Sequence, residues 1–164
     1  MKILKFLDEN IEKYFLWASL VAVVILIFMQ VVLRYVFNYS LAWAEELSRY
    51  ILLYQIWVGT AYCVKKDAHI RMNIIQSKLS PKNQIKMEIF VTVLWMIFTL
   101  FLTLKSGQLT SMLYANKQIS PAMQIPMAIA YASVPIGCGL MVFRLCQKLY
   151  KDVKKLEKQE AELR

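Results

Sequence analysis

The sequence predicts an all-α integral membrane protein. It should have four transmembrane helices, both termini in the cytoplasm, and amphipathic interfacial helices near the N-terminus and in the central cytoplasmic loop. Two observations predict it. Four runs contain no Asp, Glu, Lys or Arg: Tyr14–Leu33, Tyr50–Val64, Ile89–Leu104 and Gln118–Phe143. Sixteen of the twenty Lys and Arg residues lie in the three segments that precede the first run, separate the second from the third, and follow the fourth. A length of 164 residues leaves little for a separate soluble domain, so residues 1–164 are expected to form a single membrane domain.

The first run is twenty residues between Lys13 and Arg34. At about 1.5 Å per helical residue it matches a hydrocarbon core of about 30 Å, and a span is expected at about 14–36. A cleaved signal peptide fits poorly, because the apolar stretch is long and Tyr35, Phe37 and Tyr39 stand where small residues should precede the cleavage site. An uncleaved anchor is expected instead. Ahead of it, Ile3, Leu7, Ile11 and Tyr14 recur at helical spacing among Lys2, Lys5, Asp8, Glu9 and Glu12, which predicts a surface helix at about 2–12.

The second run is shorter, but Leu41–Arg49 can extend it as helix, so a span is expected at about 42–64 with its first turns at the interface. Ile70, Ile74, Ile75 and Leu79 then predict a surface helix at about 69–79. Ser80-Pro81 reads as an N-cap and first-turn proline opening the third helix, whose span is expected at about 84–105. Pro121, Pro126 and Pro135 interrupt the fourth run. Its regular part is expected to start near Pro126 within a span of about 124–145. Leu145, Leu149, Val153 and Leu156 form a stripe beside Lys148, Lys151, Lys154, Lys155 and Lys158, in a basic cytoplasmic tail at 146–164. Each amphipathic segment reads either as a solvated or lipid-surface helix or as a partner site.

Orientation follows from the basic residues. Three precede the first span, six lie between the second and third, and seven follow the fourth, against Arg34, Arg49, Lys105 and Lys117 at the opposite end. The positive-inside rule puts both termini and the central loop in the cytoplasm and the loops at Val36–Ala42 and Ser106–Ile119 outside. The net charge of +9 then reads as a topology signal that meets anionic lipid, with no nucleic acid partner.

Residues with chemical potential are few. Cys63, Cys138 and Cys146 form no C-x-x-C pair and are expected to be ordinary buried thiols. His69 is the sole histidine and cannot supply the two axial ligands common in membrane b-type cytochromes. No Gly-rich phosphate loop, nucleophile elbow or metal-ligand spacing occurs. The expectation is a non-enzyme without cofactor or metal. Transport by this chain alone is also disfavoured, because a coupled carrier usually places ionisable or ion-ligating groups near the midplane. The expected spans offer Gln30, Gln55 and hydroxyls such as Ser19, Thr60, Thr92, Thr99 and Ser133, which more often tie helices together. The first run also lacks the glutamate on which four-helix small multidrug carriers depend.

Charges reappear where the second helix begins, in Trp43-Ala44-Glu45-Glu46-Leu47-Ser48-Arg49-Tyr50. Glu45 and Arg49 stand four apart in the favourable order for a pair, the acids lie near the positive end of the helix dipole, and Trp43 and Tyr50 suit a headgroup boundary. This reads either as an anchored helix start or as a place where protein partners surround the charges.

That segment resembles the second-helix start of the DctQ-type small membrane subunit of tripartite ATP-independent periplasmic (TRAP) transporters. Further similar motifs follow in order: Gly59-Thr60-Ala61, then Lys65-Lys66-Asp67-Ala68-His69-Ile70, Ser120-Pro121-Ala122-Met123-Gln124-Ile125-Pro126, and Tyr131-Ala132-Ser133-Val134-Pro135-Ile136-Gly137. Met123-Gln124 is a mild departure from the family pattern. The resemblance covers nearly the whole chain. It implies an accessory subunit of the bacterial inner membrane that braces a large, usually sodium-coupled elevator subunit. A periplasmic binding protein would deliver an acidic solute such as a C4-dicarboxylate or sialic acid, docking transiently. On that reading Trp43, Glu45, Glu46, Arg49, Tyr50 and Trp57 are interfacial anchors or lie toward the large subunit. Pro126 and Pro135 shape the fourth helix, although Pro135 also reads as a tolerated kink. Asn38 and Asn116, in the outer loops, would lie near the periplasmic protein. The alternative is an independent four-helix carrier or membrane assembly factor.

Overall fold

A computed structural model describes residues 2–66 and 81–162, with side chains over 10–66 and 83–157. Among them the secondary structure is helical: α1 (Lys2–Val36), α2 (Ala42–Lys65), α3 (Pro81–Ala115), the short α4 (Met127–Tyr131) and α5 (Ser133–Glu162). The expected surface helix at 69–79 lies outside the described residues.

The helices form a row in the order α1, α2, α5, α3, with α4 against α3 at one end. Contacts between the helices fix their directions. Glu12 bonds Lys65 and Gln30 bonds Ser48, so α1 and α2 are antiparallel. Gly137 of α5 lies against Trp57, while Met141 and Leu145 share a core cluster with Ala61 and Val64, so α2 and α5 run parallel. Thr99 approaches Met141 and Met96 approaches Cys146, making α3 antiparallel to α5. The N-terminus of α1 and the C-terminus of α5 therefore share one end of the bundle. Small residues line the close contacts: Ala44, Ala61, Ala128, Ala130, Ser133 and Gly137 are buried. Without a water-driven hydrophobic force in lipid, such residues let helices approach closely enough for dispersion to hold them.

Two elements differ from expectation, while the amphipathic stripe after the fourth span is helix as its spacing predicts. The segment at 2–12 is not a separate surface helix, since α1 runs unbroken from Lys2 to Val36. No proline or glycine interrupts it, and Glu12 is neutralised by partners on other helices. Helix α3 continues ten residues past the expected end of the third span, so most of the outer loop placed at 106–119 is helix. Hydroxyls sustain the extension by bonding back one turn, Ser106 to the Leu102 carbonyl at 2.6 Å and Thr110 to that of Ser106 at 2.8 Å. It stops where Lys117 turns left-handed (φ 49°), with its N–H on the Tyr114 carbonyl and that of Gln118 on Leu113. The expected tail at 146–164 continues α5 as helix to Glu162. Pro135 stands at the third position of α5, where a missing N–H costs no intrahelical bond.

Among the described residues three helices are long and apolar enough to cross a membrane, over Asn10–Val36, Asn83–Ala115 and Met127–Glu157. Helix α2 has 24 residues but is less apolar, with Glu45, Glu46, Arg49 and Gln55 along it. It lies between α1 and α5, which shelter it on two sides.

Candidate functional site

At the end of the bundle where α2 begins, two of the sequence motifs meet. Helix α2 starts at Ala42 without a side-chain cap, and Glu45 and Glu46 stand in its first turns. The two acids behave differently. Glu45 accepts a 3.1 Å bond from the Arg49 guanidinium, and both side chains are exposed, so the pair adds little to stability. Glu46 is 7% exposed. One of its carboxylate oxygens accepts from the Tyr50 hydroxyl, and the other accepts the backbone N–H groups of Ala122 and Met123 at 3.0 and 2.9 Å.

Those amides belong to a compact turn. Ser120 N–H donates to the Ile125 carbonyl at 2.8 Å, Gln124 N–H donates to that of Ser120 at 3.2 Å, and Met127 N–H donates to that of Gln118 at 2.9 Å. Gln124 is left-handed (φ 55°), a conformation most side chains disfavour. Glu46 thus supplies the acceptor for two amides that face into the chain. Pro126 stands at the N-cap of α4, and Tyr54 of α2 donates to the Ile129 carbonyl at 2.7 Å. The Gln30 amide reaches Ser48 at 3.3 Å, tying α1 to the same region.

The sequence-expected site residues therefore divide. Glu46 and Tyr50 turn inward to hold the 120–124 turn. Trp57 is half-buried with its backbone against Gly137. Trp43 is 42% exposed, and Arg49 and Glu45 also face outward. Pro126 is exposed and Pro135 half-buried. Asn38 and Asn116 are exposed at the same end, Asn38 left-handed (φ 51°) in the turn that links α1 to α2.

Replacing Glu46 with alanine should leave the Ala122 and Met123 amides without their acceptor and loosen the turn. Hydrogen exchange at these two amides is expected to rise about tenfold or more, since a lost bond to a charged acceptor outweighs a neutral one. Glu46→Gln, which keeps an acceptor oxygen, should raise it less.

The opposite end holds a cluster that no motif signalled. Glu12 is 3% exposed; one oxygen accepts from Arg144 Nε at 2.8 Å and the other from Lys65 Nζ at 3.3 Å. Arg144, also buried, donates from Nη1 to Gln147 at 2.9 Å. The cluster joins α1, α2 and α5. One signal could have found it: Glu12, Lys65 and Arg144 each stand at, or one residue from, the boundary of a charge-free run.

Among the described residues no group of His, Cys, Asp and Glu converges as a metal centre. Cys138 is buried and Cys63 half-buried, as expected of ordinary thiols, whereas Cys146 is exposed beside Met96 with 3.7 Å between the sulfurs. His69 lies outside the described residues.

The chain matches the family described as the DctQ component of tripartite ATP-independent periplasmic transporters over residues 23–155. It is 32% identical over 158 residues to an isethionate TRAP transporter permease protein DctMQ from Oleidesulfovibrio alaskensis, covering 93% of this chain and 25% of that protein. This chain thus spans about a quarter of that relative's length. A putative TRAP transporter small permease protein from Haemophilus influenzae is 30% identical, with 94% of this chain and 92% of the relative covered. A sialic acid TRAP transporter small permease protein, SiaQ, from Vibrio cholerae is 24% identical over 95% of this chain and 89% of the relative.

Proposed function

Because the chain belongs to the DctQ component family of tripartite ATP-independent periplasmic transporters, we propose that it braces a large ion-coupled membrane subunit that takes up an acidic solute. The observation that carries this reading is where the polar groups go. Interhelical polar bonds tie α2 to α1 and α4 at one end of the bundle and α1 to α2 and α5 at the other. Between those ends lie the charge-free runs. A rigid row of helices without an ionisable group at mid-depth suits a scaffold against which another subunit moves. Its open flanks support the same reading, since α1 and α3 expose large apolar residues such as Phe28, Phe90 and Ile97.

The partners follow from this. The isethionate permease continues well beyond the length matched here, which supports a large membrane subunit beside this one. The exposed edge of α2 that carries the Glu45–Arg49 pair would lie toward it, with Trp43 anchoring the start of the helix on another side and Trp57, Pro126 and Pro135 setting the shape of the neighbouring helices. Asn38 and Asn116 would face a soluble periplasmic binding protein. Isethionate and sialic acid, in the relatives' names, are both organic anions, which supports an acidic solute, coupled to sodium in the usual family manner. The orientation is four spans of the bacterial inner membrane, α2 included, with both termini cytoplasmic. The basic residues support this, as does the pairing of Glu12 with Arg144, which puts the first and last helices' cytoplasmic ends at one level.

Purification of the tagged chain from its native membrane tests the brace. A large polytopic membrane protein should co-purify in roughly equal amount, as a stable complex demands, and Arg49→Glu should reduce its recovery. Recovery of the chain alone, or undiminished recovery with Arg49→Glu, would count against the reading and the assigned face respectively.

A further inference from the structure

A basic cleft lies where α2 ends and α5 continues. Gly137, Met141, Arg144, Lys148, Lys151 and Lys155 follow one another at three- or four-residue steps, and so share one face of α5. The upper part of that face packs on α2: Gly137 meets Trp57, and Met141 joins Ala61 and Val64. Helix α2 stops at Lys65, whereas α5 runs on to Glu162. The step between them forms a cleft with a volume of ≈ 40 Å³, whose lining includes Lys65, Arg144, Lys148, Lys151 and Lys155 against the carboxylate of Asp152.

We propose that this cleft binds the phosphodiester headgroup of an anionic phospholipid from the cytoplasmic leaflet. Five cationic side chains face two carboxylates, Asp152 in the lining and Glu12 behind it, and the excess favours an anion. Arg144 and Lys65 are held by Glu12 at the back, so the rim charge comes from Lys151 and Lys155, both exposed, the latter with its ammonium 3.8 Å from Asp152 Oδ1. The volume fits as well. At roughly 10–15 Å³ per water the cleft holds about three, the space of a single phosphate group. Depth selects a lipid over a free phosphate. The charge-free runs of α1, α2 and α5 end at Lys13, Lys65 and Arg144, so the cleft opens at the level where the apolar spans give way to headgroups.

The site rests on the inner-membrane orientation proposed above, and its test separates the two. The full chain is purified with its large subunit in detergent, exposed to phosphatidylglycerol or phosphatidylcholine, and weighed by native mass spectrometry, with and without inorganic phosphate. The expected result is one retained phosphatidylglycerol per chain, preferred over phosphatidylcholine. Lys151→Gln with Lys155→Gln should cut that preference by about twenty-five-fold, since each lysine near an anionic surface is worth roughly fivefold. Lys105→Gln with Lys117→Gln, an equal charge change at the other end, should leave it intact. Equal retention of the two lipids, or a preference that survives in the Lys151/Lys155 variant, would overturn the site. Inorganic phosphate that displaces the lipid at equal concentration would overturn it in favour of a free-phosphate site. Loss of the large subunit from a chain that still selects phosphatidylglycerol would sink the brace and leave the lipid site standing.

Discussion

Replacing Glu12 with alanine is expected to destabilise the folded bundle by about 3–5 kcal/mol, the range found when one partner of a buried ion pair is removed. Arg144 is 4% exposed and bonds Glu12 at 2.8 Å, so the substitution takes this carboxylate from a buried guanidinium that cannot deprotonate. Lys65, 16% exposed, has more freedom to swing its ammonium outward. Most of the penalty should therefore belong to the Glu12–Arg144 pair. The Glu12→Leu/Arg144→Met double variant should recover a large part of the loss, because removing both charges also removes the uncompensated one. Thermal unfolding of the detergent-solubilised chain reads this directly. Equal stability of Glu12→Ala and the native chain would contradict the cluster.

Gly137→Leu should be nearly as disruptive, for a steric reason. Even a bare Cβ at this position would lie 2.4 Å from Trp57 Cβ and 2.9 Å from the Trp57 carbonyl carbon. The obstacle is backbone, so α2 and α5 have to separate, and overpacking of this kind costs about 1–3 kcal/mol or more. Gly139 supplies the control. No heavy atom lies within 4 Å of the corresponding Cβ there, so Gly139→Ala should be neutral or gain up to about 1 kcal/mol from helix propensity. The same unfolding measurement separates the two glycines, and a Gly137 variant as stable as the Gly139 variant would mean that the helices do not cross at this point.

How much of this was legible in the sequence depended on the range of the interaction. Charge-free runs located the long helices, because a stretch of apolar residues at helical length is a local property. Pro126 marked the beginning of the last helical region for the same reason. Lys105 marks a boundary in the sequence, yet α3 runs past it to Ala115. A lysine at the end of an apolar run ends the membrane-suited stretch, yet nothing in Ser106–Ala115 breaks a helix. The separate surface helix at 2–12 failed for the complementary reason, since a change from polar to apolar without a breaker changes the surroundings and not the backbone.

The site was legible as motifs and illegible as contacts. Glu46 and the Ser120–Gln124 turn both stand in sequence motifs, but they lie more than seventy residues apart, and nothing local says that one carboxylate caps the other segment's amides. Glu45 and Glu46 look equivalent in sequence. Their facings on α2 separate them, one outward to Arg49 and one inward to the turn. Glu12 and Arg144 are 132 positions apart, and each alone reads as a charge flanking a span. Only the parallel placement of α2 and α5 beside an antiparallel α1 brings them together. Trp57 is expected as an anchor or large-subunit contact, whereas its backbone packs against Gly137 within this chain.

The central claim is that this chain braces a transporter and does not itself move solute. Uptake of an organic anion into proteoliposomes under a sodium gradient, with the soluble binding protein supplied outside, tests it most directly. Vesicles containing the large subunit and this chain should accumulate solute, and vesicles containing either alone should not. Accumulation by vesicles that contain this chain without the large subunit would contradict the account.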